Sequence, residues 1–241
     1  MQWWRYAPAV TGVAASAAVV SYWLPAVSRI APAARRPLGI SGGGSAPEVW
    51  LTFDDGPHPR ATERILDILA ERRARAVFFL VGEQVRQWPA TAARIAAEGH
   101  VVGVHCDRHR SLLRLSPRQV TADLDRAVAA LEDAGLRPEC YRPPYGVLTT
   151  AALLLARRRR WPICLWDCDG RDWGADASAA AVSGRILGSI RPGATVLLHD
   201  SPVYCRRGDW RLAPQALEAI LDGLAVRGLA AARGFEAAES R

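Results

Sequence analysis

Three short segments far apart in the chain carry side chains suited to hydrolytic chemistry: Thr52-Phe53-Asp54-Asp55-Gly56-Pro57, His105-Cys106-Asp107-Arg108-His109 and Leu197-Leu198-His199-Asp200. Together they supply two adjacent carboxylates, a pair of histidines and a lone third histidine. A divalent metal that must hold an activated water wants about three protein ligands of the His/His/carboxylate kind and at least one open position. Asp55, His105 and His109 provide that set. Asp54 is then a spare carboxylate able to take a proton from the water, and His199 can return one to a leaving group. Cys106 lies between the two histidines, but the ligand set is complete without it, so it reads as a structural residue.

Residues this far apart in sequence need a fold that brings loops together. Short β-type runs alternate with helical ones: Glu48 to Phe53, then Ala61 to Arg73, Ala76 to Val81 and Pro89 to Glu98. A strand near Val101 to Val104, a helix from Pro117 to Ala134, a strand near Cys140 and a helix from about Thr149 to Arg159 continue the pattern. Ser116, Pro117 and Gln119 mark the third helix with a cap, a favoured first residue and a capping box. Strands near Ile163 to Trp166 and Thr195 to Leu198, a helix from Pro214 to Val226 and a last strand near Leu229 complete about seven βα units. Such alternation predicts an α/β fold with a parallel sheet, open or barrel-like. Every chemical motif follows a strand, and loops at the C-terminal ends of parallel strands converge on one face.

Composition limits the remaining readings. The chain has 241 residues, 50% of them hydrophobic, enough for one ordinary domain with a substantial core. Its net charge of +7 comes entirely from arginine, because the sequence has no lysine. No basic stripe interleaved with aromatics is present, which argues against nucleic acid as a partner. Arg157 to Arg160 follow an apolar stretch and suit a solvated helix C-terminus. Five cysteines form neither a CxxC pair nor an even disulfide set, and most of them read as buried small apolar residues.

Residues 7–27 carry no charge and are flanked by Trp3, Trp4, Tyr22 and Trp23, the pattern of a membrane signal anchor. Ala31-Pro32-Ala33 also suits a signal-peptidase site, which would make the product secreted. Arg29, Arg35 and Arg36 outnumber Arg5, which by the positive-inside rule alone leaves the domain cytoplasmic. Gly42-Gly43-Gly44-Ser45 reads as a flexible linker, so the expected division is an N-terminal segment of residues 1–45 and a catalytic domain of residues 46–241.

From about Val49 to Ala232 the chain resembles the polysaccharide deacetylases, the NodB-homology group known as carbohydrate esterase family 4. Thr52 to Pro57 matches the family's TFDDGP motif and His105 to His109 its His-x3-His motif. Arg142-Pro143-Pro144-Tyr145-Gly146 is similar to RPPYG, Asp169-Gly170-Arg171-Asp172-Trp173 to DxxDW, and Val196 to Asp200 to LxLHD. Five motifs in order are specific, where any one alone is weak.

The resemblance implies a distorted (β/α) barrel that removes N-acetyl groups from N-acetylglucosamine in an acetylated glycan such as peptidoglycan or a chitin-like polymer. It makes Asp55, His105 and His109 the ligands of a divalent metal, with zinc first and cobalt or nickel as alternatives. Asp54 becomes the catalytic base, oriented by Arg142, and Asp172 pairs with His199 and raises its pKa so that it stays an acid. The Tyr145 N–H would stabilise the oxyanion, and Trp173 and Leu197 would wall a pocket for the acetyl methyl. Cys106 stands where the family usually has Ser or Thr, and Val104 where it often has Asn, so support around the metal is expected to be looser.

Two other functions share these motifs: O-acetyl esterase action on xylan-like sugars, and glycan binding without turnover. The second would be expected if Asp54 or His199 were missing, and both are present. His58 and His100 read as structural, Asp107 as a surface partner of a neighbouring arginine rather than a fourth ligand, and Asp169 as evenly divided between the site and strand-end hydrogen bonding.

Overall fold

A computed structural model describes residues 21–41, 48–206 and 208–232. The strands are β1 (Ile40–Ser41), β2 (Glu48–Asp54), β3 (Val77–Val81), β4 (Val101–Cys106), β5 (Cys140–Tyr141), β6 (Ile163–Cys164), β7 (Cys168–Asp169), β8 (Thr195–His199) and β9 (Ala230–Ala231). They pair in parallel in the order β1-β6-β5-β4-β3-β2-β8-β7, with β9 beside the start of β2. The helices are α1 (Ala61–Glu71), α2 (Gly82–Gln87), α3 (Pro89–Ala97), α4 (Pro117–Asp133), α5 (Thr150–Arg158), α6 (Ala179–Ser189) and α7 (Leu212–Val226).

The connection from β6 to β7 closes this sheet into a distorted barrel. β6 lies next to one edge and β7 forms the other, yet only Leu165, Trp166 and Asp167 separate them. Four residue steps span at most about 14 Å. The sheet therefore curls until its edges nearly meet. Across the gap, Arg35 Nη1 donates to the Trp166 carbonyl at 3.0 Å.

Strand alternation divides the core in two. Val49, Leu51 and Phe53 of β2 point outward, join Phe78, Leu80, Val102, Val104 and Leu198, and pack under the helices. Trp50, Val77, Phe79, Cys140 and Cys164 form a second cluster inside the barrel. With both faces covered, the strands are almost continuously buried. The inward set of β2 runs Trp50, Thr52, Asp54; that of β4 runs Val101, Gly103, His105; that of β8 runs Thr195, Leu197, His199. Each inner row ends in a chemical residue, so one parity rule aims them all at the top of the barrel. Gly103 is needed in this row, because a Cβ there would lie 2.5 Å from the Phe79 ring and 2.9 Å from the Cys140 sulfur.

The helices follow their local signals. Ser116 caps α4 by accepting from the Gln119 N–H while Gln119 Oε1 accepts from the Ser116 N–H, a complete capping box. α1 turns Ile65, Leu66, Ile68 and Leu69 inward, and its first turn is held by His58, whose Nδ1 accepts from the Ala61 N–H at 3.1 Å.

Three features differ from the sequence reading. The strand expected at Ile163 to Trp166 stops at Cys164, because the chain must cross the barrel gap before β7 begins. α2 and α6 were not anticipated: α2 has six residues, and α6 is rich in Ala, Ser and Gly and so has little apolar periodicity. Ile40 and Ser41, expected in the segment ahead of the domain, pair with Ile163 and Cys164 as the edge strand, and Ile40 enters the core. Residues 7–20 of the expected anchor and the linker at 42–45 lie outside the described residues. Among the described residues no helix is long and apolar enough to cross a membrane.

Phe53 is fully buried and stacks on Phe78 with ring centroids 5.0 Å apart. Phe53→Ala is expected to lower unfolding free energy by about 3–5 kcal/mol, measured by urea denaturation. A loss below about 1 kcal/mol would show that this outward cluster does not carry the barrel.

Candidate active site

Asp54 at the end of β2 and His199 at the end of β8 are register partners on neighbouring strands. Between them and β5 lies Arg142, a fully buried guanidinium. Its Nη1 donates to Asp54 Oδ1 and to Thr52 Oγ1, both at 2.7 Å, and its Nε to the Cys164 carbonyl at 3.0 Å. The guanidinium carbon also sits 4.1 Å from the centre of the Phe79 ring. Asp54 is thus held as half of a buried ion pair, one oxygen tied to Arg142 and the other directed toward the histidines.

Asp55 follows directly but in a left-handed conformation, φ 79°, which swings its carboxylate across to the β4 side. Its Oδ1 lies 3.4 Å from His109 Nε2 and 3.6 Å from His105 Nε2. His105 Nδ1 meets the Arg142 carbonyl at 2.7 Å, so it carries the proton and leaves Nε2 with a free lone pair. His109 is sandwiched between aromatic rings, with Tyr204 stacked at 4.7 Å and Tyr145 edge-on at 4.5 Å.

These three residues fit a divalent metal. One ligand atom from each lies within 4.8 Å of the others. Burial pushes both imidazoles down to about 3, so each offers a lone pair rather than a positive charge. Burial pushes the Asp55 carboxyl up to about 8, with His199 opposing and Asp54, Asp200 and Asp172 adding to the rise. Its Oδ1 is buried without a hydrogen-bond partner among the described residues. Two neutral nitrogens and a carboxylate short of positive charge form a donor set that a dication satisfies. Cys106 is buried beside them, and burial raises its thiol well above the usual range, so it supplies no thiolate.

His199 is tuned the other way. Burial lowers its pKa, but Asp172 accepts from Nδ1 at 2.7 Å and, with Asp55 and Asp54, lifts it to about 10. The same Asp172 accepts from the His199 backbone N–H through its second oxygen, also at 2.7 Å. The imidazole is therefore a cationic acid at neutral pH, with Nε2 3.9 Å from Asp55 Oδ2.

A cavity of about 380 Å³ opens over this cluster. Tyr145, Trp173 and Leu197 line it; Tyr145 holds φ 59° and is 54% exposed, Trp173 is 41% exposed and Leu197 is buried. Asp169 both lines the cavity and accepts from the Arg171 N–H. Asp107 pairs with Arg86 and Arg126 but is buried, which corrects its placement on the surface. His100 is buried and accepts from the Ala76 N–H, a structural role.

Sequence reasoning missed four lining residues: Arg29, Trp166, Tyr204 and Arg206. Arg29 belongs to the segment read as lying ahead of the domain, and the others fall in loops without a motif. It also gave Asp200 no role. That carboxylate is buried, accepts from Thr62 Oγ1 at 2.6 Å, and packs so closely on Gly56 that a Cβ there would lie 2.0 Å from Oδ2. Asp200 thereby braces the turn that presents Asp55, and only glycine fits opposite it.

Residues 41–160 match the family model for polysaccharide deacetylase. A chitooligosaccharide deacetylase from Bradyrhizobium sp. is 39% identical over 171 residues, covering 70% of this chain and 76% of its own. The chain belongs to the polysaccharide deacetylase family. A second member, the peptidoglycan-N-acetylglucosamine deacetylase of Bacillus cereus, is 34% identical over 78% of this chain and 67% of its own. The crystal structure of the Bc1960 peptidoglycan N-acetylglucosamine deacetylase, in complex with 4-naphthalen-1-yl-N-oxidanyl-benzamide, superposes with a TM-score of 0.73 at 32% identity. That superposition covers 79% of this chain and 88% of the other. This deacetylase-family chain keeps the curled parallel barrel of its relatives, with residues of all five motifs at its mouth.

Removing the Arg142 charge isolates its contribution. Arg142→Leu leaves Asp54 buried and unpaired and is expected to cost about 3–5 kcal/mol in thermal or urea unfolding. The double variant Arg142→Leu/Asp54→Asn should recover much of that loss. Equal losses in both would mean that packing on Phe79, not charge, dominates.

Proposed function

We propose that this chain is a metal-dependent hydrolase that removes N-acetyl groups from N-acetylglucosamine units of a polysaccharide, peptidoglycan or chitin-like. The observation that carries this reading is one cavity bordered by a paired base, a buried Asp/His/His cluster and a cationic histidine. The relatives named for chitooligosaccharide and peptidoglycan deacetylation support the substrate class.

Asp55, His105 and His109 would hold the ion, zinc by the chemistry of its nitrogen and oxygen donors with cobalt or nickel able to replace it. A bound ion would supply Lewis acidity to the acetyl carbonyl and to the attacking water. Asp54 takes the proton from that water as its oxygen bonds to the acetyl carbon, and Arg142 holds the base in place through its Nη1 hydrogen bond to Oδ1. The Tyr145 N–H receives the negative oxygen that develops. His199 then gives its proton to the nitrogen as the C–N bond breaks, releasing a free amine and acetate. Asp172 keeps His199 in the protonated state and the right tautomer. Trp173 and Leu197 give the acetyl methyl an apolar wall. An ester leaving group needs less help from His199, so an O-acetyl esterase would use the same residues with a weaker demand on the acid. We infer also that the apolar segment of residues 7–27 meets the membrane through its part ahead of Ser21 and Tyr22, which bond the catalytic domain, leaving that domain outside the cell where wall glycans lie.

Chelation should abolish acetate release, and zinc or cobalt should restore it; full activity in metal-free protein would refute the assignment. Asp54→Asn should lower turnover by roughly a hundredfold or more while zinc content, measured by atomic absorption, is unchanged. Stoichiometric loss of zinc would instead make Asp54 a ligand. Activity on an N-acetyl glycan should fall as pH rises through the His199 pKa. That limb lies no higher than about 10, because a cation held by Asp55 opposes the imidazolium charge. In His199→Ala the limb should disappear from the residual activity, and an activated acetate ester should suffer far less than an acetamide. Equal losses on the two substrates would show that His199 shapes the site rather than donating a proton.

A further inference from the structure

The cavity wall carries two guanidinium groups for which deacetylation has no evident use. Arg29 and Arg206 both line it, one from the segment ahead of β1 and one from the loop after β8. Neither is ion-paired among the described residues. Arg29 is fixed beside an aromatic wall. Arg29 lies over the Trp166 ring at 4.9 Å, and its Nε donates to the Tyr145 carbonyl at 3.2 Å. Gly146 leaves room for this arrangement, since a Cβ there would lie 2.9 Å from Arg29 Cδ and 2.7 Å from the Trp166 ring. The backbone N–H of Arg206 donates to the Trp173 carbonyl at 3.1 Å, and its side chain is exposed.

The segment that delivers Arg29 is pinned to the loops at the barrel mouth. Tyr22 donates to the Leu115 carbonyl at 2.8 Å, and Thr150 to the Ser21 carbonyl at 2.6 Å. Arg35 bonds both the Ser28 and the Trp166 carbonyls. Because the Tyr145 bond uses Nε, the two Nη groups of Arg29 remain, and that edge of a guanidinium grips a carboxylate with two parallel hydrogen bonds. The acids already at the site are committed: Asp54 to Arg142, Asp55 to the histidines, and Asp169 Oδ1 to the Arg171 N–H.

We infer that Arg29 and Arg206 form a subsite for an acidic group, a carboxylate on the sugar adjoining the one that loses its acetyl. The substrate class is then an anionic acetamido glycan rather than a neutral one. This inference rests on the deacetylase reading above.

Three probes test it: a tetrasaccharide of alternating N-acetylglucosamine and N-acetylmuramic acid with free lactyl carboxylates, its methyl ester, and chitotetraose. Acetate release by the wild-type protein should favour the free acid over its ester by about tenfold or more in kcat/KM. Arg206→Ala, whose side chain makes no bond among the described residues, and Arg29→Ala should each remove most of that preference through KM. Arg29→Lys should keep part of it, and Arg206→Ala should stay within about twofold of wild type on the ester and on chitotetraose. Equal rates on acid and ester, or equal losses on all three glycans, would overturn the subsite while leaving deacetylation intact. Release of acetate from none of them would remove the deacetylase reading and the subsite with it.

Discussion

A bare guanidinium inside a barrel is expensive to bury, and the arrangement around Arg142 is what makes it tolerable. Its charge faces that of Asp54, its Nε and Nη1 hydrogens reach oxygens, and aromatic rings from Phe79 and Trp166 lie against its face. Buried pairs of this kind are seldom worth much net stability, because desolvation consumes most of the attraction. Their strength is in what they forbid. Once Arg142 occupies the interior, Asp54 has one place to be, and the His105 ring is fixed through the carbonyl of the same arginine. One residue thus sets both the proposed base and a proposed metal ligand.

The parity of the strands extends that constraint to the whole site. A one-residue slip of β2, β4 or β8 would send Asp54, His105 or His199 into the outer, helix-covered layer and bring an apolar side chain inside. The apolar content of the outer face guards against this error, since Leu51, Phe53, Val104 and Leu198 would lose their burial together. Packing energy on one face therefore fixes chemistry on the other. Opposite tuning of neighbouring groups follows from the same placement: burial strips His105 and His109 of charge, whereas Asp172 restores it to His199.

Much of this was legible in the residues. Alternating runs gave the order of strands and helices, and the Asp-Asp, His-x3-His and His-Asp motifs gave the cluster, because each signal is local in sequence. Contacts made by isolated residues left no such trace. Asp200 looks like any motif aspartate until Gly56 is found against it, and Tyr204 carries no spacing that would place it on His109. The break between β6 and β7 is a requirement of closing the sheet, a property of the whole topology that no window of sequence contains. Arg29 was hidden by a sound local reading, since a charge beyond an apolar run reads as a flank rather than as part of a cavity.

The two-residue strand β1 also protects what lies beside it. Its pairing with Ile163 and Cys164 covers the backbone of β6, so that β6 is not the sheet's open margin. A protein begun at residue 46, the boundary that the glycine run invites, would lose this cover along with Arg29 and Arg35. The uncapped edge would present unpaired N–H and C=O groups beside apolar side chains, the template on which sheets from different molecules join. Poor solubility of such a shortened form would report on that lost hem and would carry no information about the chemistry at the barrel mouth.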